Sequence, residues 1–142
     1  MKKIKIQKVD SIFSKCTRER TNWCCEVCNT YYPESRRQGI HCSHFFSRRH
    51  YSVRWHPLNV AAHCYSCHTN LGGNPIEFTE WIRNHLGDRY DELLELKNSP
   101  VRFRDRDRKE MYHHFKSELA RMQDLRINGE SGRIEFSPWA PK

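Results

Sequence analysis

No stretch of this chain approaches the roughly 20 consecutive apolar residues that a membrane-crossing helix needs. The basic start MKKIKIQKVD has no apolar segment behind it of the kind a secretory leader carries. A soluble, unsecreted protein with no membrane partner is expected. Internal repeats and long low-complexity tracts are also missing, which argues against a solenoid or a largely disordered chain. Acidic residues are scarce where cysteines and histidines are dense. Residues 1–74 hold four Asp or Glu against twelve Lys or Arg, whereas 75–127 hold eleven of each and 128–142 two of each, so the entire net charge of +8 lies in the first half. A basic excess around a metal-binding pattern points to a polyanionic partner, nucleic acid being the usual one, and the plainer alternative is that it only keeps the chain soluble.

At 142 residues, 37% hydrophobic and 30% charged, the chain is long enough for one domain with appendages and too short for two substantial ones. Seven cysteines is an odd number, and four of them form two C-x-x-C pairs, Cys25/Cys28 and Cys64/Cys67. Each pair has the spacing of a zinc knuckle, in which a tight turn brings two thiolates onto one ion, and two such pairs suggest a tetrahedral four-cysteine zinc site joining distant segments. A redox pair would need a thioredoxin-like βαβ pattern, which is absent. The pattern fits a reducing cytosol better than a disulfide framework. Cys16, Cys24 and Cys42 read as ordinary small side chains, with Cys24 a less usual substitute for Cys25.

Between the pairs, Gln38 to Phe46 alternates loosely enough for a strand. Tyr51 to Ala62 holds β-formers interrupted by Pro57, and YSCHTNL after Cys64 starts a helix that Gly72-Gly73 ends. The expected order is strand, strand, helix. Across it His44, Asn59 and His68 are spaced H-x14-N-x8-H, with His68 directly after the second C-x-x-C. This arrangement resembles the HNH endonuclease motif on its ββα-metal fold, in the subtype whose cysteine pairs hold a structural zinc. The phrases CSHFFSRRH, VRWHPLN, CYSCH and GNPIEF are similar to the phage lambda NinG (Rap) recombination proteins and related phage HNH proteins, over about residues 22 to 97.

The resemblance implies a metal-dependent DNA endonuclease, with branched or single-stranded recombination intermediates as substrates in a bacterial cytoplasm. His44 is then the general base, because a neutral imidazole titrates near the working pH. His68 becomes a ligand of a catalytic Mg2+ or Mn2+ ion, and Asn59 holds the loop that orients His44. Many members place an Asp or His immediately before the base, where this chain has Ser43. His41 is the nearest substitute ligand, although strict strand alternation would point residues 41 and 44 to opposite faces. Asn70 and Asn74 are reserve ligands, with capping the likelier duty of Asn74. Arg48, Arg49 and Arg54 suit bidentate contact with phosphates, and stacking on Trp55 or Tyr51 competes for Arg54. His50, His56, His63, His85, His113 and His114 are assigned to surface or structural positions.

The remaining segments frame an α+β fold. Residues 1–20 read as a basic N-terminal arm leading into a short strand or helix, and 21–74 as the ββα core with its zinc knuckles. Residues 75–127 read as a helical extension packed on that core. Phe78, Trp81, Ile82 and Leu86 mark a first helix ended by Gly87; Tyr90, Leu93 and Leu94 mark a second; Met111, Phe115, Leu119 and Met122 mark a third. Residues 128–142 form a tail with a short strand at RIEF. Symmetric cleavage of two strands would favour a homodimer, but no segment declares an interface. The alternative function is a non-catalytic, zinc-stabilised module that binds nucleic acid.

Overall fold

Val9, Phe13 and Cys16 recur at helical spacing along Lys8–Arg20, and in the computed structural model, which describes residues 3–36 and 38–141, this segment is helix α1. The Gln7 N–H donates to Asp10 Oδ2 at 2.8 Å and closes its first turn. The apolar stripe of α1 packs on that of the long helix near the chain's other end, Asp105–Ile127, where Met111, Phe115, Leu119 and Met122 are buried. The Phe13 and Phe115 rings meet edge to face at 5.0 Å, and the Cys16 thiol donates to the Phe115 carbonyl at 3.3 Å. Of the short strand or helix expected after a basic arm in 1–20, the structure forms the helix, from Lys8 onward, and its Val9, Phe13 and Cys16 face lies in the core. Lys2 lies outside the described residues.

Strands β1 (Ile40–His44) and β2 (Val60–Cys64) pair antiparallel, with Ile40 opposite Cys64 and His44 opposite Val60. Side chains alternate, so Ile40, Cys42 and His44 share one face with Cys64, Ala62 and Val60. His41, Ser43, His63 and Ala61 share the other. Helix α1 covers the first face, where the Cys42 thiol lies 3.5 Å from Thr17 Oγ1 and the His44 ring 6.4 Å from that of Phe13. Helices α2 (Tyr65–Gly72) and α3 (Pro75–Leu86) lie on the second, where Phe78 and Trp81 pack on His63. All five residues of β2 are buried, as expected for a strand covered on both sides. Helix α4 (Arg89–Asn98) completes a second apolar cluster of Val53, Ile82, Leu86 and Leu93, and the Asp105–Ile127 helix is α5. No described helix is long and apolar enough to cross a membrane.

The connection between the strands is held by a buried ion pair. Arg54 is 1% exposed; its Nε and one terminal nitrogen donate to the two Asp10 oxygens at 3.1 and 2.7 Å, and it also donates to the Lys5 carbonyl at 3.0 Å. The Trp55 indole N–H completes the carboxylate's shell at 2.9 Å. Burial works against the Asp10 charge, but the Arg54 and Gln7 hydrogen bonds more than offset it and hold the carboxyl below its ordinary range. The guanidinium also lies over the Tyr51 and Trp55 rings, at 5.3 and 5.0 Å. Arg54 is thus no surface contact for phosphates, and the competing stacking role is the one the structure places it in.

The tail departs from expectation too. Ile134 and Phe136 are buried in the α1–α5 core, yet RIEF forms no strand. Its backbone bonds go elsewhere: the Ile134 N–H donates to the Arg20 carbonyl at 3.0 Å, and the Glu135 carbonyl accepts from Arg121 at 2.7 Å. Replacing Asp10 by Ala leaves the Arg54 charge buried and unpaired, so the urea-unfolding free energy should fall by about 3–5 kcal/mol. A loss under 1 kcal/mol would show that the pair is dispensable.

Candidate functional site

Two thiols come from a hairpin-like knuckle and two from the β2–α2 junction. The knuckle turns on Asn22, Trp23 and Asn29, all with positive φ, and Cys24 bridges Tyr31 across it. Glu26 ties it to the sheet, because its backbone N–H donates to the Ala62 carbonyl at 2.8 Å while its carboxylate accepts the Ala62 N–H at 2.6 Å. Cys64 ends β2 and Cys67 lies one turn into α2. The sulfurs of Cys25, Cys28, Cys64 and Cys67 all lie within 4.8 Å of one another. Among the described residues this is the one group of three or more Cys, His, Asp or Glu with ligand atoms so close. Backbone N–H groups of Val27 and Cys64 point at Cys25 Sγ, at 3.5 and 3.3 Å.

Such a set fits a zinc ion, which binds four thiolates tetrahedrally with bonds of about 2.3 Å. The thiol environments are uneven. A hydrogen bond with Thr30 brings Cys28 down to about 6, whereas burial pushes Cys25 up. Cys24, Cys16 and Cys42 stand apart from the cluster; burial raises the Cys16 thiol to about 12, as befits an inert core side chain.

The histidines divide between the two faces of the sheet. His44, half-buried on the α1 side, places Nε2 3.0 Å from the Arg54 carbonyl. A carbonyl only accepts, so Nε2 carries the proton and Nδ1 keeps its lone pair. Burial, followed by the neighbouring Arg48 charge, pushes this imidazole down to about 4. Asn59 is wholly buried and clamps the chain just beyond His44, donating to the Phe46 carbonyl and accepting the Phe46 N–H, both at 2.8 Å. Its own carbonyl takes the Phe45 N–H at 2.9 Å. On the opposite face, the exposed rings of His41 and His68 stack at 5.8 Å with an interplanar angle of 15°. The structure therefore brings His41 to His68 and Asn59 to the segment after His44, and it leaves the His44 ring against Phe13.

Arg48 is half-buried, and its Nε is buried without a hydrogen-bond partner; Arg49 is exposed. Asn74 sits at the α3 N-cap position but makes no side-chain cap; its amide donates back to the Asn70 carbonyl at 2.7 Å. Two polar groups, His63 and Ser43, which the sequence marks only as a surface or structural histidine and as the residue before His44, are buried. Among the described residues neither ring nitrogen of His63 has a hydrogen-bond partner, and neither does Ser43 Oγ. The visible signal was their place on the His41 face of the predicted strands. Comparison with known proteins finds no matching family model, no matching curated protein and no matching solved structure.

Replacing Cys64 by Ser should abolish zinc retention and unfold the chain, since ligand and core side chain are lost together. A folded, zinc-loaded Cys64→Ser protein by metal analysis and circular dichroism would refute the four-thiolate clamp. The imidazoles of half-buried His44 and fully buried His63 are both held down to about 4, so each is neutral when folded but protonates near 6.5 when unfolded. Their contribution to stability is complete above about 6.5 and is lost as pH falls from there towards 4. Urea midpoints measured from pH 7.5 to 5 with zinc present should fall, and His63→Leu should flatten part of that slope; an unchanged slope would contradict it.

Proposed function

We propose that this chain is a metal-dependent DNA endonuclease of the HNH type, with a ββα-metal core stabilised by a four-cysteine zinc. The observation that carries this reading is the state of His44: a neutral imidazole with Nε2–H committed to a backbone carbonyl and the Nδ1 lone pair left over. A neutral imidazole with that lone pair can take a proton from water attacking a phosphodiester. Burial and Arg48 hold it down to about 4, a weaker base than the near-neutral one expected from the sequence. Asn59 acts as a positioning residue, fixing residues 45 and 46 and through them the end of β1. Arg48, next to His44, and the exposed Arg49 supply guanidinium groups for the phosphate oxygens. His41 and His68 would hold a divalent ion, which when bound supplies charge stabilisation to the phosphoryl oxygens and to the departing 3′ oxygen.

One observation favours a second reading, a zinc-stabilised module that binds nucleic acid without cutting it. His44 and the His41–His68 pair lie on opposite faces of β1. Nicking of plasmid, single-stranded and branched DNA with Mg2+, Mn2+ or Ni2+ separates the two. Under the nuclease reading, His44→Ala should lower kcat by about 10²–10⁴ while leaving DNA affinity unchanged. Equal cleavage by wild type and variant sinks the assignment of His44; binding without cleavage by both supports the module.

A further inference from the structure

The strongest anomaly in the molecule is His63. Its side chain is 0% exposed, yet both Nδ1 and Nε2 lack a hydrogen-bond partner, although a buried imidazole ordinarily satisfies at least one. It sits on β2 directly opposite His41, with its side chain on the same sheet face, the face that α2 covers. The other orphaned polar group there, Ser43 Oγ, belongs to the next residue of that face on β1, two positions beyond His41. The Trp81 ring meets His63 edge on at 4.8 Å and Phe78 at 6.2 Å, which fixes the imidazole in place without offering it an acceptor or donor. The exposed end of the same patch is the stacked His41–His68 pair.

We propose that His63 is a third ligand of the ion held by His41 and His68, so that the site is a three-imidazole centre with Ser43 beside it. This rests on the ion site of the proposed function and deepens it. The sequence places Ser43 where a ligand is expected, and the donor missing there comes from the facing strand. Only the four thiolates already converge within 4.8 Å, and the imidazoles stand further apart. His41 and His68 are exposed and have room to turn, whereas His63 is held by its neighbours. The ion therefore closes the site by drawing two surface rings onto a fixed buried one.

The donor set also selects the ion. Three neutral imidazoles suit Zn2+, Ni2+ or Co2+, whereas Mg2+ requires near-octahedral oxygen ligation and gives up its waters reluctantly. The expected Mg2+ or Mn2+ is replaced, in this proposal, by a nitrogen-seeking transition ion.

The test is Ni2+ titration of the full-length, zinc-loaded protein by calorimetry without DNA, with zinc content followed by metal analysis. Wild type should retain one zinc and take up one Ni2+ per chain, and millimolar Mg2+ should not compete. His63→Leu should keep its zinc and its fold, because Leu fills the apolar surroundings and removes an unsatisfied imidazole. Its Ni2+ affinity should drop at least about tenfold, the lower bound seen when even an outer partner of a metal site is removed. Undiminished affinity in a folded His63→Leu protein overturns the proposal, as does a wild type that takes up no Ni2+. X-ray absorption at the Ni edge of the wild type needs no variant: three imidazoles support the proposal, and two or fewer overturn it. Cleavage plays no part in these readouts, so a His63-dependent ion site in a protein that never cuts DNA would fail the nuclease reading alone.

Discussion

Four sulfurs converge at the point where an ion would tie the knuckle to the sheet and the sheet to α2. Two five-residue strands make a sheet too small to be stable in isolation. Cys25 and Cys28 belong to a knuckle that otherwise meets the sheet mainly through Glu26 and the Cys25 side chain. Cys64 and Cys67 stand where β2 turns into α2, so an ion held there would fix the angle between strand and helix as well as the position of the knuckle. His68 follows Cys67 directly, and His63 precedes Cys64. The two histidines that flank these cysteines differ in setting, His63 buried against Trp81 and Phe78 and His68 exposed to solvent.

What the sequence made legible was whatever has a short-range signature. The paired C-x-x-C spacing identified the four thiols, and the 3.6-residue stripes located α3, α4 and α5 to within a few residues. Gly87, with φ +58, closes α3 where a glycine was needed. The ion pair of Arg54 with Asp10 was hidden because its members lie 44 positions apart and each reads locally as surface charge. His63 was passed over for a related reason: alternation tells which face a strand residue takes, but not which face a later helix will bury. The RIEF segment has strand composition, and only the tertiary placement of Arg20 and Arg121 explains why its backbone bonds are met without a partner strand.

The basic excess also changes meaning once folded. Arg18 donates to the Ile40 carbonyl at 2.8 Å, and Arg20 donates to the carbonyls of Pro57 and Val60 at 2.9 and 2.7 Å. With Arg54, three of the twelve cations of the first half act as internal cross-links between α1, the inter-strand connection and the sheet. Guanidinium suits this duty because its planar fork serves several acceptors at once and is more weakly hydrated than an ammonium group. The basic excess of the first half therefore overstates the charge that its surface carries.

The packing of α1 against α5 spans 99 residues at the Cys16–Phe115 contact. During synthesis at about 5–20 residues per second, α1 therefore emerges roughly 5–20 seconds before the helix that covers it. Through that interval the α1 stripe of Val9, Phe13 and Cys16 can meet only its earlier-emerging partners, Trp55, Val60 and the covered face of the sheet, and lacks Met111, Phe115, Leu119 and Met122. The sheet and its four-cysteine cluster can thus assemble against α1 before α5 closes the main core.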